Sequence, residues 1–269
     1  MILELKKKKY KSAIILCGGR GTRLGSIGEK LPKTLLEVQK KPILWYIINI
    51  LKSYDFNHFI LPLGFKGNLI KKYLNKNNNL DVDIDIIDTG LDTDIGKRIS
   101  LVEKKIRSEN FLLLNGDAIF DIDVNKIYNN HVNSNNEITF LSTEIIYQYG
   151  TVGVLGNNVK DFKRNLVYDR LKIRSSSSYK AYNYSGMSLI KTEILRKYKK
   201  VYCNTKNFEM NFFSKLIKRK KTKLIKTKGF WHSIDSIKDL DNVGKKNIFK
   251  FKQVKKINQF LLKKYYKVL

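Results

Sequence analysis

The sequence predicts an α/β fold in which helices cover a mixed, mainly parallel central sheet. Two observations carry this prediction. Short apolar strands alternate along the chain with amphipathic helical segments, and repeated strand–helix–strand units favour parallel strand pairing. Some strands are continuous apolar runs, which is typical of strands buried on both faces. With 269 residues, of which 42% are hydrophobic, the chain is long enough for a substantial core, and we expect residues 1–269 to form a single domain.

The first half of the chain carries the clearest alternation. The segment 42–53 places apolar residues on one helical face after Pro42, which suits the first turn of a helix. The segment 82–88, VDIDIID, alternates as a strand does. The predicted strands are 12–17, 59–64, 82–88, 110–115 and 137–145, and the predicted helices are 42–53, 68–75, 96–106 and 124–132.

Beyond about residue 150 the predicted strands become shorter. We expect strands at 151–155, 159–163, 184–191, 222–228 and 230–234, with helices over 208–219 and from 236. The serine run at 175–178 is expected to be a surface loop. The last segment, 245–269, is basic, apolar and partly helical in period, and we expect it to pack on the domain or on a partner subunit.

Composition excludes some classes of protein and leaves others open. No run of 18 apolar residues is present, so no membrane span is expected, and the first residues lack the apolar core of a secretory signal. Two cysteines make no disulfide framework, which favours a reduced, cytoplasmic setting. The net charge of +29 is compatible with a nucleic acid, an anionic membrane surface or anionic substrates as partners. Apart from a cluster near the C-terminus, the lysines are spread along the chain, and no nucleic-acid-binding motif is present, so nucleic acid is not the expected partner.

A glycine-rich loop follows the first predicted strand. Residues 13–24 read AIILCGGRGTRL, and Lys33 follows about ten residues later. Glycines allow backbone N–H groups to close around phosphate oxygens, and arginines add bidentate charge. The segment therefore predicts a site for the phosphates of a nucleoside triphosphate.

Two better-known phosphate loops do not match this segment. The P-loop requires a lysine directly after its last glycine, and no lysine has that position here. The dinucleotide fingerprint G-x-G-x-x-G, counted from Gly19, would need a glycine where Leu24 stands. The loop is thus of a different type.

Acidic residues follow two other predicted strands. Asp117 ends the buried strand 110–115 as NGD, and Asp235 ends the segment GFWHSID. A carboxylate at the edge of a buried strand is costly unless it meets a cation. Two such carboxylates could hold one Mg²⁺ together with phosphate oxygens and water. Asp123 has a simpler interpretation as the N-cap of the next helix.

Taken together, these segments resemble the sugar-1-phosphate nucleotidyltransferases over about residues 13–240. The motifs are LCGGRGTRL with LPK, NGD after a buried strand, and GFWHSID. The segment DTGLDTDIGKR at 88–98 is similar to the DTG-x-x-T-x-T-G-G-R segment of the glucose-1-phosphate cytidylyltransferase branch. The segments PILW and GFKG also match that branch. The resemblance implies a Rossmann-like three-layer sandwich of the nucleotide-diphospho-sugar transferase type.

The resemblance also implies roles for individual residues. Arg23 and Lys33 would stabilise charge in the transition state, and Asp117 and Asp235 would bind Mg²⁺, which makes Asp117 catalytic as well. Glu209 and Gly186, with Arg164, would lie near the acceptor. The nucleotide would be bound by Leu16, Gly18, Gly19, Gly21, Thr22, Arg23, Thr93, Gly96, Asn115 and Gly116.

The chain departs from the family pattern mainly in its acceptor half. The family carries Phe-x-Glu-Lys-Pro, whose lysine holds the phosphate of the sugar phosphate, whereas this chain has Arg164 and Asn165 in place of Glu-Lys. The usual Asn-Gly-Gly or Asn-Ala-Gly is Tyr184-Ser185-Gly186 here, and the second glycine of T-G-G-R is Lys97. The residues expected to bind the nucleotide donor therefore match the family pattern, whereas the identity of the acceptor stays open.

The sequence thus predicts a Mg²⁺-dependent, homo-oligomeric nucleotidyltransferase that couples CTP and a sugar 1-phosphate. One alternative keeps this chemistry with GTP and a heptose or mannose 1-phosphate, and another keeps CTP with a non-sugar phosphate or phosphonate. A non-catalytic nucleotide-binding subunit is a further alternative. A protein that owes its charge to a membrane or nucleic-acid partner is another, and heparin retention that survives moderate salt would favour it.

Overall fold

The computed structural model describes residues 9–77, 80–147, 151–164, 166–168, 181–246, 248, 251–252 and 254–255. The strands are β1 (Ser12–Leu16), β2 (Glu37–Val38), β3 (Lys41–Pro42), β4 (His58–Leu63), β5 (Asp83–Asp88), β6 (Asn110–Asn115), β7 (Ala118–Asp121), β8 (Ile138–Ser142), β9 (Ile145–Tyr147), β10 (Thr151–Leu155), β11 (Asn158–Lys163), β12 (Leu166–Tyr168), β13 (Tyr184–Lys191), β14 (Thr222–Lys226) and β15 (Phe230–Ser233). The helices are α1 (Gly25–Lys30), α2 (Ile43–Lys52), α3 (Gly67–Lys76), α4 (Ile95–Val102), α5 (Val124–Asn133), α6 (Thr192–Lys197), α7 (Lys199–Tyr202), α8 (Ser214–Ile217) and α9 (Ile237–Gly244).

The central sheet has the strand order β14-β8-β13-β6-β1-β4-β5. The pairs β1–β4, β1–β6, β4–β5 and β14–β8 are parallel, and β13 runs antiparallel to both of its neighbours. The prediction of a mixed, mainly parallel sheet is therefore confirmed. In the register of the parallel strands, Leu16 lies beside Asn115, so β1 and β6 end together at one edge of the sheet.

Two hydrophobic cores lie on opposite faces of this sheet. Successive residues of β1 alternate between them, with Ala13 and Ile15 in the core beneath α2 and α3, and Ile14 in the core beneath α4, α6 and α7. Side chains of a strand point to opposite faces in turn, so this alternation defines helix, sheet and helix layers. The Rossmann-like three-layer arrangement expected from the sequence is confirmed.

Some elements differ from their predicted bounds. The predicted strand 137–145 is divided into β8 and β9, and between them the Thr143 N–H donates to the Asn183 carbonyl. The predicted helix 96–106 ends at Val102 and continues as a 3₁₀ turn, Glu103–Lys105, a frequent way for a helix to end.

The predicted helix 208–219 begins with a π-helical stretch, Glu209–Phe213, before α8. Phe208, Phe212 and Phe213 all pack in one core there, and the wider turn allows residues four and five apart to share one side.

Two further expectations concern segments that the structure describes partly or not at all. The serine loop at 175–178 lies outside the described residues. Of the basic tail, Ile248 and Val254 are buried in the core that also contains β7 and α9 residues, and Phe251 packs against Phe230 at 4.6 Å between ring centroids. No helix in the described ranges combines the length and the apolar character needed to cross a bilayer.

His131 on α5 makes the stability of the fold sensitive to acid. Its imidazole is fully buried, with Nδ1 2.8 Å from Thr139 Oγ1 and Nε2 3.2 Å from Asn110 Oδ1. Burial, with a smaller contribution from the Lys191 charge, lowers its pKa to about 4. The unfolded chain therefore binds a proton more readily than the folded chain between pH 6.5 and pH 4, so the stability contributed by neutral His131 is present above pH 6.5 and is lost as the pH falls.

We expect His131→Gln to weaken this acid sensitivity. Neutral His131 accounts for about 2 kcal/mol of the difference in unfolding free energy between pH 7.5 and pH 5. Glutamine can keep one donor and one acceptor but does not titrate. Urea unfolding of both proteins at the two pH values measures the difference, and an equal pH dependence in the variant would show that another group is responsible.

Candidate active site

A cleft of about 650 Å³ opens at the edge of the sheet where β1 and β6 end. In α/β proteins ligands bind at this carboxyl edge of parallel strands. The cleft is lined by Leu16, Cys17, Gly18, Gly19, Arg20, Gly21, Thr22, Arg23, Leu24, Lys33, Thr34, Leu91, Asp92, Thr93, Asp94, Ile95, Arg98, Asn115, Gly116, Asp117, Lys206 and Asp235.

The glycine-rich loop forms one wall of the cleft. β1 leaves the core at Leu16, and the chain reverses at Gly21, whose φ of 64° lies in the left-handed region that favours glycine. A 3₁₀ turn, Thr22–Leu24, follows and buries Leu24, which leaves Arg23 with 77% of its side chain exposed. The loop is thus anchored by an apolar residue and presents its polar groups to the cleft.

The floor of the cleft is closed by the turn after β6. The Gly116 N–H donates to the Leu16 carbonyl at 3.2 Å, and a Cβ on Gly116 would lie 2.6 Å from that carbonyl oxygen. Only glycine allows the two strand ends to approach so closely. This contact places Asn115 and Asp117 directly beside the glycine-rich loop.

Asp117 and Asp235, 118 residues apart in the sequence, meet because β7 pairs with β15. The antiparallel register places Ser233 opposite Ala118, and the Ile234 N–H donates to the Asp117 carbonyl at 2.8 Å. The two acidic residues therefore sit at the same end of a two-stranded ribbon, at the mouth of the cleft.

Lys33 joins the two carboxylates. Its Nζ lies 2.8 Å from Asp117 Oδ2 and 2.9 Å from Asp235 Oδ1, and only 15% of its side chain is exposed. Arg23 Nη2 lies 3.2 Å from the same Asp235 oxygen, and Ser233 Oγ donates to the other at 2.9 Å. Two cations and two carboxylates thus form one cluster, in which every contact pairs a positive group with a negative one.

The environment of Asp235 favours its charged form. Burial by itself would raise its pKa, but hydrogen bonds from Lys33 and Ser233 and the charges of Lys33 and Arg23 outweigh burial and lower the pKa. Asp235 is therefore a carboxylate at neutral pH, able to accept a cation.

The positions of the two carboxylates in this cluster also bear on whether the cleft could hold a divalent cation. Because Asp117 and Asp235 both contact one nitrogen, the Lys33 ammonium, both could reach a single cation at this position. Within the described ranges no group of three or more His, Cys, Asp or Glu side chains is suited to hold a metal ion. Two carboxylates fit Mg²⁺, which commonly takes one or two carboxylates and completes its shell with water and substrate phosphates.

The opposite wall is the loop between β5 and α4. Arg20 Nη2 forms an ion pair with Asp92 Oδ1 at 2.8 Å, which connects this loop to the glycine-rich loop across the cleft. Thr93 is fixed by a hydrogen bond from its hydroxyl to the Thr89 carbonyl at 2.6 Å. Lys206, from the segment after α7, adds a positive charge to the cleft lining.

The structure brings most of the predicted site residues together in the cleft. Four others lie outside its lining. Gly96 is buried in the first turn of α4, where a Cβ would lie 2.0 Å from the Tyr202 carbonyl oxygen, so it allows α4 to pack closely on the end of α7. Gly186 packs against the Asn115 side chain, and Arg164 lies at the end of β11 beside Phe162. Glu209 begins the π-helical stretch.

Sequence reasoning did not identify several residues of the site. Arg20 and Arg98 stood within recognised segments, but the contacts of Arg20 with Asp92 and of Arg98 with the Gly18 carbonyl join segments that are remote in the chain. Lys206 carried no sequence signal, because it belongs to the segment after α7 and its place in the cleft depends on tertiary packing. Ser233 reaches the cluster through the β7–β15 pairing. The cue that was available for Ser233 is its position two residues before Asp235 at the end of a predicted strand.

The fold and the cleft define an α/β protein with a clustered set of cations, carboxylates and glycine-loop amides at the carboxyl edge of its sheet. Comparison with known proteins gives the family. The model of the family described as "Nucleotidyl transferase" matches residues 12–164, more than half of the chain. The chain belongs to the nucleotidyltransferase family and is a nucleotidyltransferase.

Individual relatives agree with this membership. The chain is 30% identical over 253 residues to the "Probable glucose-1-phosphate cytidylyltransferase" of Bacillus subtilis (strain 168), covering 87% of this chain and 94% of that protein. It is 32% identical over 154 residues to the D-glycero-alpha-D-manno-heptose 1-phosphate guanylyltransferase of Aneurinibacillus thermoaerophilus, covering 56% of this chain and 66% of the other. The crystal structure of HddC from Yersinia pseudotuberculosis superposes with a TM-score of 0.63 at 21% identity, covering 87% of this chain and 98% of that one, and supports the fold.

Proposed function

We propose that the enzyme transfers a cytidylyl group from CTP to a sugar 1-phosphate, giving a CDP-sugar and pyrophosphate, with Mg²⁺ as cofactor. The observation that carries the proposal is the cluster of Lys33, Arg23, Asp117 and Asp235 beside the glycine-rich loop. The relative from Bacillus subtilis, matched over most of both chains, is named for the same donor and acceptor classes.

The proposed reaction needs no general base. A phosphate monoester has a second pKa of about 6, so an oxygen of the acceptor phosphate is already anionic at neutral pH. This oxygen attacks the α-phosphorus of the nucleotide, a P–O bond forms, and the bond to the β-phosphate breaks with release of pyrophosphate. The catalytic task is to bring two anions together in line and to neutralise their charge.

The residues of the cleft supply these functions in the proposed mechanism. Backbone N–H groups of Gly18, Gly19 and Gly21, with Thr22, would hold the triphosphate. Arg23 and Lys33 would stabilise the charge that develops on the phosphate oxygens.

Asp117 and Asp235 would hold Mg²⁺, which when bound would neutralise phosphate charge and orient the two substrates. For this to happen, the Lys33 ammonium must share the two carboxylates or turn to the phosphates. The flexible stem of a lysine side chain permits either arrangement.

The donor could instead be GTP with a heptose 1-phosphate acceptor. One observation favours this alternative, since the guanylyltransferase from Aneurinibacillus thermoaerophilus is 32% identical over 154 residues. Its matched share of this chain is 56%, against 87% for the cytidylyltransferase from Bacillus subtilis, and we therefore place CTP first. In the acceptor half, Arg164, Gly186 and Glu209 remain candidates for contacts with the sugar phosphate, and a non-sugar phosphate or phosphonate is a further possibility for the acceptor.

A matrix assay tests the proposal. CTP, UTP, dTTP, GTP and ATP are each combined with glucose 1-phosphate, mannose 1-phosphate, a heptose 1-phosphate and non-sugar phosphates and phosphonates, and pyrophosphate release is followed with Mg²⁺ and with EDTA. We expect release only when a nucleotide, an acceptor and Mg²⁺ are present together, and the fastest release with CTP and a sugar 1-phosphate. Equal release without any acceptor would indicate nucleotide hydrolysis, and full activity in EDTA would contradict the role of Mg²⁺.

A further inference from the structure

Arg98 of α4 is a buried cation in the lining of the cleft. It is 5% exposed, and its guanidinium donates to five neutral acceptors. Nη1 lies 3.0 Å from the Leu63 carbonyl, 2.7 Å from Thr89 Oγ1 and 2.8 Å from the Gly90 carbonyl. Nη2 lies 3.3 Å from the Gly18 carbonyl and 2.9 Å from the Leu91 carbonyl. Among the described residues it has no carboxylate within ion-pair distance, which is unusual for a buried charge.

Two glycines make room for this guanidinium. A Cβ on Gly18 would lie 2.5 Å from its Cζ, and a Cβ on Gly64 would lie 2.4 Å from its Nη1. Gly18 follows β1, and Gly64 follows the acceptor Leu63 at the end of β4. The acceptors Thr89, Gly90 and Leu91 belong to the loop after β5. Arg98 thus fills a space bounded by the ends of three neighbouring strands, and the small size of residues 18 and 64 is what creates that space.

The carbonyls bound by Arg98 determine where the adjoining N–H groups point. In a trans peptide the C=O and the N–H of the next residue point in opposite directions. Holding the carbonyls of Gly90 and Leu91 on the guanidinium therefore turns the N–H groups of Leu91 and Asp92 away from it. The Gly18 carbonyl is held jointly by Arg98 and by the Phe65 N–H, each at 3.3 Å, which turns the Gly19 N–H away as well. Gly19, Leu91 and Asp92 line the cleft, and in the described part of the chain none of their N–H groups donates to a protein acceptor.

We propose that Arg98 is a positioning residue that sets these three N–H groups as hydrogen-bond donors to the nucleoside triphosphate, with Gly18 and Gly64 as its cradle. The Gly19 N–H belongs to the phosphate-binding loop, whereas the N–H groups of Leu91 and Asp92 lie on the opposite wall and suit acceptor atoms of the base or ribose. This inference rests on the proposed function in taking the nucleotide as the ligand of the cleft. Arg98 also lines the cleft, but both of its Nη atoms are engaged by protein acceptors, so in this proposal it acts on the nucleotide through the backbone.

Calorimetric titration with CTP, and separately with GTP, tests the proposal on the full chain in the presence of Mg²⁺. We expect Arg98→Ala to weaken nucleotide binding by about 10- to 100-fold, which is the loss expected when several groups that contact a ligand are displaced. Gly64 does not line the cleft, but Gly64→Ala should weaken binding similarly because it displaces the guanidinium. In the R98A background the space is vacant, so Gly64→Ala should add less than about a twofold further loss.

Arg107→Ala is the matched control. Its guanidinium pairs with Asp83 and Asp85 near the opposite edge of the sheet, and its loss should leave nucleotide affinity within about twofold. Melting temperatures show whether each variant folds, and Arg98→Lys, which keeps the charge but not the fork of donors, provides a second variant if Arg98→Ala does not fold.

Three results would overturn the proposal. One is unchanged nucleotide affinity in a folded Arg98 variant, and another is independent, multiplicative losses from Gly64→Ala and Arg98→Ala. The third is a wild-type chain that binds neither nucleotide. Nucleotide binding without turnover on any acceptor contradicts the proposed function instead, and the binding comparison still decides the role of Arg98.

Discussion

Asp117→Asn is expected to lower turnover by about two to three orders of magnitude, the cost of losing one electrostatic stabiliser of the transition state. Asparagine keeps the shape of the side chain but removes the charge that meets Lys33 Nζ at 2.8 Å and that would bind Mg²⁺. Pyrophosphate release at saturating nucleotide and acceptor measures the loss. The apparent affinity for Mg²⁺ should also fall, because one of the two carboxylates that would hold the ion is gone.

Asp121→Asn is the control for this substitution. Asp121 lies at the other end of β7, where its Oδ2 accepts the Lys252 N–H at 3.0 Å, and it does not line the cleft. We expect its turnover to stay near that of the wild type. If Asp117→Asn retained wild-type turnover while folding normally, Asp117 would have no catalytic role and the metal proposal would lose one of its two ligands.

Lys33→Ala is expected to lower turnover by at least about 100-fold, again the scale of a single charge placed at the reacting phosphates. Lys33 is the cation that both carboxylates share, so its loss also leaves Asp117 and Asp235 facing each other without a common partner. The loss should appear mainly in kcat, because Lys33 is proposed to act on charge that develops during the reaction. Steady-state kinetics with each substrate varied in turn measures kcat and KM separately.

Lys30→Ala provides the comparison for Lys33. Lys30 ends α1, its side chain is exposed, and the contact it makes with Lys66 uses its backbone carbonyl, which alanine retains. A fall in turnover for both lysine variants would indicate a general effect of the positive charge of the surface. A rise in KM for the nucleotide at unchanged kcat would assign Lys33 to ground-state binding.

Local patterns were sufficient to predict the strands of the parallel part of the sheet and most of the helices. β1 and β6 are continuous apolar runs, and the apolar spacing of 42–53 matches α2, whose buried residues include Ile43, Ile47 and Leu51. The N-cap role predicted for Asp123 is confirmed, since its Oδ1 accepts the Lys126 N–H at 3.0 Å. These features depend on residues within one or two turns of each other, which a sequence shows directly.

Elements that depend on distant partners were not predictable in the same way. β7 is only four residues long, Ala118–Asp121, and is a strand because it pairs with β15, Phe230–Ser233, which lies far along the chain. The antiparallel direction of β13 is likewise defined by its pairing with β6 and β8 and not by its own residues. Nothing in the local pattern distinguishes such strands from loops or from parallel strands.

By itself, the sequence determined the α/β class, the glycine-rich loop after the first strand and the chemical identity of the charged groups, because these depend on residue type and short-range spacing. Only the tertiary structure decided which of those groups meet. The β7–β15 pairing brings Asp235 to Asp117, the ends of β1 and β6 bring the loop to both, and the space left by Gly18 and Gly64 admits Arg98. Contacts between groups so far apart in the chain depend on the packing of the whole sheet, since it is the shared register of its strands that fixes their distances.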